Sequence, residues 1–183
     1  MNILVRTADG SVYTRPDTSW NRKSDDFYVP DSVNGLSWTP VVFARNSRPG
    51  KCIGTRFATR YYDGANFGVL LYAEPMLTSG PAGYAASACF DHTSLLSETL
   101  LGPAFIAAGS FVVYKDGSPL FESAPCGISI IDEALSAASE SCLVRRGDLL
   151  CQELAPLQHL CSRTDGTVRL HSGALLDFRI VFA

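Results

Sequence analysis

Long apolar runs, concentrated positive charge and paired cysteine motifs are what this sequence of 183 residues has least of. The amino terminus passes from Met1-Asn-Ile-Leu-Val-Arg6 straight into polar Thr7-Ala-Asp-Gly10, too short an apolar run for a signal-peptide core or a membrane span. A cytoplasmic protein without membrane association is the expectation. No basic cluster exceeds the pairs Arg22-Lys23 and Arg145-Arg146, and the net charge is −3. The electrostatic footprint for gripping a phosphate backbone is therefore missing, which argues against nucleic acid as a partner. The six cysteines, at 52, 89, 126, 142, 151 and 161, include no Cys-x-x-Cys and are read as reduced, mostly buried thiols. No Gly-x-Ser-x-Gly elbow is present, so Ser94 and Ser97 lack the strained turn that would make either a nucleophile.

What is present is apolar material: 46% hydrophobic against 18% charged residues, enough for one sizeable core and a single domain over residues 1–183. Asp9-Gly10 between two apolar runs predicts a hairpin, and Lys115-Asp-Gly117 predicts another. Residues 15–26 are polar and read as a loop. Phe27–Val29 and Thr39–Arg45 read as strands, with Pro40 expected at a strand start or an edge because it cannot donate to a ladder. Thr55–Asp63 reads as a short helix with Phe57, Ala58, Tyr61 and Tyr62 on one face. Asn66–Ala73 is a continuous apolar run of the kind buried on both sides. The Gly, Ser and Pro content of residues 78–82 predicts a mobile loop reaching Phe90. Ile130, Ile131, Ala134, Leu135 and Ala138 recur at helical spacing, and Asp132-Glu133 suit the start of a helix over 130–141. The whole reads as α+β, mainly β.

Several stretches, in chain order, resemble the fumarylacetoacetate hydrolase family, especially its short bacterial members: Thr39–Arg45, Gly50–Ile53, Arg56-Phe-Ala-Thr-Arg-Tyr-Tyr-Asp63, Phe67–Val69, Phe90-Asp91, Ile131–Glu133 and Arg146-Gly-Asp-Leu-Leu150. The resemblance implies a mixed β-roll with short helices, usually dimeric, in which Mg²⁺, Mn²⁺ or Ca²⁺ holds a 2-oxo acid or β-diketone. A hard cation needs oxygen ligands, and it stabilises the enolate formed as the bond breaks. The family supplies these ligands as Glu-x-Glu and a strand aspartate. On this sequence they fall on Trp38-Thr39-Pro40 and on Leu70, none of which can serve. A family lysine falls on Ala88, the threonine loop becomes Gln152-Glu-Leu-Ala155, and no histidine precedes His92.

The expectation is accordingly a non-catalytic form of that fold acting in binding or assembly, with no cofactor. The partners expected are a second copy as a homodimer, an intact paralogue or a small-molecule ligand. The competing expectation is a hydrolase or lyase acting on a small oxo acid through a rebuilt pocket, with Asp91, His92 and Cys89 as candidate catalytic residues. Glu74 with Asp91 and His92 is the one candidate for a relocated cation site. His159 and His171 stand at unrelated spacings.

Overall fold

The computed structural model describes residues 1–23 and 25–182. The chain opens with the expected hairpin, β1 (Asn2–Arg6) and β2 (Val12–Pro16), turned through Gly10 at φ +90°. Next come β3 (Trp20–Asn21), β4 (Phe27–Val29) and the long β5 (Gly35–Asn46). A short α1 (Thr55–Ala58) leads into an equally long β6 (Tyr62–Ala73), then α2 (Glu74–Leu77), α3 (Gly80–Ser87) and β7 (Ser94–Leu95). After α4 (Pro103–Ala108), the second expected hairpin forms from β8 (Val112–Lys115) and β9 (Ser118–Glu122). The chain ends with α5 (Ser129–Ser141), β10 (Leu149–Glu153), β11 (Gln158–Ser162), β12 (Thr167–Ser172) and β13 (Leu176–Phe182).

The strands among the described residues form an eight-stranded sheet ordered β2-β1-β10-β5-β6-β7-β3, with β11 also on β5, and a five-stranded sheet ordered β4-β13-β12-β8-β9. At the centre of the larger sheet, β5 and β6 pair antiparallel from Leu36 opposite Ala73 to Ala44 opposite Ala65. Leu36, Trp38, Val42, Phe67, Val69 and Leu71 point to one side, into a core shared with the second sheet and the apolar stripe of α5. Val41, Phe43, Leu70 and Tyr72 point to the other, joining Ile3, Val5, Leu149 and Cys151. Burial on both faces explains why β6 reads as one unbroken apolar run rather than an alternation.

Three expectations need correcting. Pro40 lies inside β5, not at its start. It is tolerated because it faces the break between β10, which ends opposite Val41, and β11, which begins opposite Trp38. Its carbonyl still accepts from the Leu154 N–H at 2.8 Å. The helix expected over 55–63 stops at Ala58, and Tyr62 belongs to β6, where its hydroxyl donates to Asp132 at 2.8 Å. The loop expected from residue 78 to Phe90 is largely α3, which follows α2, and each of the two helices has proline in its first turn, where the missing N–H would find no helical partner anyway. Gly83 makes their packing possible: a Cβ there would lie 2.0 Å from the Met76 carbonyl oxygen. Among the cysteines, Cys151 and Cys161 are buried, Cys126 and Cys142 partly so, and Cys52 and Cys89 are exposed.

The Gly147-Asp148 turn proves structural. Gly147 has φ +88°, and the buried Asp148 carboxylate accepts from the N–H groups of Asn2 and Arg145, both at 2.8 Å. It thereby ties the first strand to the turn before β10. No helix among the described residues is long and apolar enough to cross a membrane.

Candidate functional site

In an antiparallel pair, directly opposed residues share a face and successive residues alternate. Trp38 opposes Leu71 and Pro40 opposes Val69, whereas Leu70 opposes Thr39. The three positions matched to the family's metal ligands therefore do not share a face, and one cation could not be held from both sides of a sheet. If Leu70 stands where the aspartate does, the paired positions on its face are Ser37, Thr39 and Val41, none of them a carboxylate. Leu70 is 0% exposed in an apolar cluster, Trp38 packs edge-on against Phe121 in the opposite core, and the Ala88 side chain is buried. Among the described residues no group of three or more His, Cys, Asp or Glu is placed to hold a metal. The residues present do not fit a divalent cation.

The other candidates are dispersed. Glu74 does not line the cavity that holds Asp91 and His92; its Oε1 accepts from the Ser37 hydroxyl and meets Nδ1 of His159, each at 2.7 Å. Asp91 and His92 do come together, lining a cavity of about 350 Å³ with Asp26, Phe27, Tyr28 and Phe90. His92 adopts φ +62°, unusual for a side chain larger than glycine. The Cys89 thiol is outside that cavity and donates to the Ala85 carbonyl at 3.1 Å.

A larger cavity of about 820 Å³ opens on the Leu70 side of the sheet, between the β1–β2 hairpin and the α2–α3 pair. Tyr13 and Tyr84 stand at right angles, ring centroids 5.4 Å apart, and Tyr84 is 5.4 Å from Tyr72. Glu153, at the end of β10, reaches the same place. Its Oε1 accepts from the Tyr72 hydroxyl at 3.0 Å and its Oε2 from the Ala8 N–H at 3.1 Å. The Tyr13 and Tyr72 hydroxyls are hydrogen-bonded to each other, and since Tyr72 donates to Glu153, Tyr13 is the donor to Tyr72.

Burial sets the electrostatics. Withdrawal from water disfavours charge, so Tyr13, Tyr72 and Tyr84 are all pushed above the ordinary tyrosine value and stay protonated. The same effect raises the Glu153 carboxyl, opposed by the Ala8 and Tyr72 hydrogen bonds and by Arg15. Arg15 is 0% exposed behind the Tyr72 ring, its guanidinium 4.8 Å from the centroid. It donates to the Ala88 carbonyl at 3.1 Å, the Leu71 carbonyl at 2.7 Å and the Thr93 hydroxyl at 2.8 Å. The strand β2 thus places Arg15 inside the structure, where a loop was expected.

The sequence pattern singled out none of Tyr13, Arg15, Tyr72, Tyr84 or Glu153 as functional. A signal was there: Tyr72 lies in the apolar stretch Val69–Ala73 of β6 and Glu153 closely follows Leu149-Leu-Cys151 in β10, and a polar group buried among apolar neighbours is the informative exception.

No family model matches the chain, and no curated protein matches it. Solved structures do. A protein assigned to the fumarylacetoacetate hydrolase family from Yersinia pestis superposes with TM-score 0.80 at 13% identity, covering 98% of this chain and 92% of that one. The 5-carboxymethyl-2-hydroxymuconate delta-isomerase of Mycobacterium smegmatis gives 0.81 at 12% identity, over 100% of this chain and 79% of the other. The fumarylpyruvate hydrolase of Pseudomonas aeruginosa, solved in complex with Mn²⁺ and pyruvate, gives 0.78 at 11%, over 100% and 89%. Such identities speak for architecture alone, and on that ground this chain has the fold of the fumarylacetoacetate hydrolase family proteins.

Proposed function

We propose that this chain is a non-catalytic form of a fold used by hydrolases and isomerases, and that it binds a small organic ligand in the cavity beside Tyr13, Tyr84 and Glu153. One observation carries this: the aspartate position is Leu70, fully buried in the apolar cluster that floors the cavity side of the sheet. A leucine there removes a ligand and also fills the space a cation would occupy. The cavity itself falls in the usual size range for small-molecule sites and has mostly apolar walls with a few polar groups, the general pattern of such sites. Self-association as a homodimer, or pairing with an intact relative, belongs to the same proposal and is read by light scattering.

Isothermal titration with Mg²⁺, Mn²⁺ and Ca²⁺ tests the absence of a metal site, and micromolar binding overturns it. Incubation with acylpyruvates, followed by loss of their ultraviolet absorbance, tests the absence of turnover. A second reading has one observation behind it: Asp91 and His92 share a cavity with Asp26. An enzyme on a small oxo acid that used it would turn over in this assay and lose activity on His92→Ala.

A further inference from the structure

Building on the binding function proposed above, we infer that the cavity takes an organic cation, an amphipathic amine whose ammonium group sits between the Tyr13 and Tyr84 rings and the Glu153 carboxylate. Charge gives the first reason. The residues lining the cavity include two acids, Asp9 and Glu153, and no Lys, Arg or His. An oxo acid entering there would meet two carboxylates and no cationic side chain in the lining. A cation would find both.

Glu153 gives the second. Its side chain is largely withdrawn from water, yet each oxygen has one short-range donor, from Tyr72 and Ala8. An ionised carboxylate can accept about four hydrogen bonds, so part of its capacity is open, and a donor cation arriving from the cavity would supply what desolvation has removed. Arg15 does not meet this need. Its guanidinium packs on the Tyr72 ring and does not line the cavity; its charge favours the ionised Glu153 carboxylate, but Nε and Nη2 donate to Ala88, Leu71 and Thr93, and Nη1 has no partner.

The third reason is the aromatic corner. Tyr13 and Tyr84 pack edge to face on each other at an interplanar angle of 85°, and both line the cavity. A cation against such a ring face gains about 0.5–2 kcal/mol, more as water is excluded. Leu77, Pro81 and Leu157 line the remainder and would cover the apolar body of the ligand.

A matched series separates charge from shape: phenylbutylamine, phenylbutanol and phenylbutyrate share one apolar body and differ in the head group. Isothermal titration into the wild-type protein is expected to give the amine at least about tenfold tighter than the alcohol, with the carboxylate weakest. Glu153→Gln should remove most of that amine preference while leaving the alcohol's affinity, which also shows that the variant is folded. Tyr84→Leu should weaken the amine more than the alcohol. If the alcohol or the carboxylate binds as tightly as the amine, the cation inference is overturned while the cavity's binding function stands. If none of the three binds, and none shifts thermal unfolding, both are overturned together.

Discussion

Placing a carboxylate at the position that the family resemblance matches to a metal-binding aspartate, by Leu70→Asp, distinguishes a disarmed metal site from a packed core. Leu70 is 0% exposed and shares its cluster with Val41, Phe43 and Tyr72. Truncating a leucine in such a place costs about 2–5 kcal/mol in lost burial and residual cavity. The Tyr72 hydroxyl is already committed to Glu153 and Tyr13, so the new carboxyl group is left unpaired by those neighbours and adds about 1–3 kcal/mol, taking up a proton rather than remaining charged. A total near 5 kcal/mol compares with about 5–15 kcal/mol for a whole domain. With a urea dependence of about 2.5 kcal/mol per molar, the unfolding midpoint should fall by about 2 M. Leu70→Met, which conserves volume, should cost less than about 1.5 kcal/mol. The decisive comparison repeats Leu70→Asp, and Thr39→Glu/Leu70→Asp, with Mn²⁺ present. A core explains no recovery. A midpoint loss below about 0.5 M, or recovery of half the loss on adding Mn²⁺, refutes the view that the site is packed rather than merely missing a ligand.

Arg15→Lys keeps the charge but loses the fork that reaches carbonyls on two segments, and should cost about 2–4 kcal/mol in chemical denaturation. Glu153→Gln should alter how stability depends on pH. The folded carboxyl is raised above its unfolded value, so its contribution is present below that value and is lost as pH rises through the folded pKa. Wild type should therefore lose stability relative to Glu153→Gln between acidic and neutral pH, and parallel curves would contradict the burial argument. Native-state alkylation followed by mass spectrometry should modify the exposed Cys52 and Cys89 first. Cys151, raised by complete burial, and Cys161, pushed up to about 12 by burial, should react only on unfolding.

Local chemistry carried the hairpins and α5. Asp9-Gly10 and Asp116-Gly117 need positive φ at their glycines, +90° and +83°, and no tertiary contact was required to see it. The stripe Ile131, Ala134, Leu135 and Ala138 is buried as its spacing demands. Pro40 could not be placed this way, because its tolerance depends on where two neighbouring strands, far along the chain, end and begin. Pro81 misled for a related reason: the same missing N–H that breaks a helix interior is harmless in a first turn, and composition does not say which position a proline takes.

The candidate site was illegible as a geometry, and the reason is one of parity. Matching motifs along a strand fixes position to within a residue, but in a sheet one residue is the difference between opposite faces. Trp38 and Leu70 each replace a carboxylate in the resemblance, yet the pairing register sends Trp38 into the core beneath the second sheet and Leu70 toward the cavity. On the Leu70 face the opposed positions are Ser37, Thr39 and Val41, none of them a carboxylate. What changes is where a ligand would go. The cavity's walls come from the β1–β2 hairpin, α2, α3 and the end of β10, with little from the two central strands that would have carried a metal. Apolar side chains on the Leu70 side of β5 and β6 therefore leave the cavity open. Tyr13, Tyr84 and Glu153, which furnish it, sit on β2, α3 and β10 rather than on that central pair.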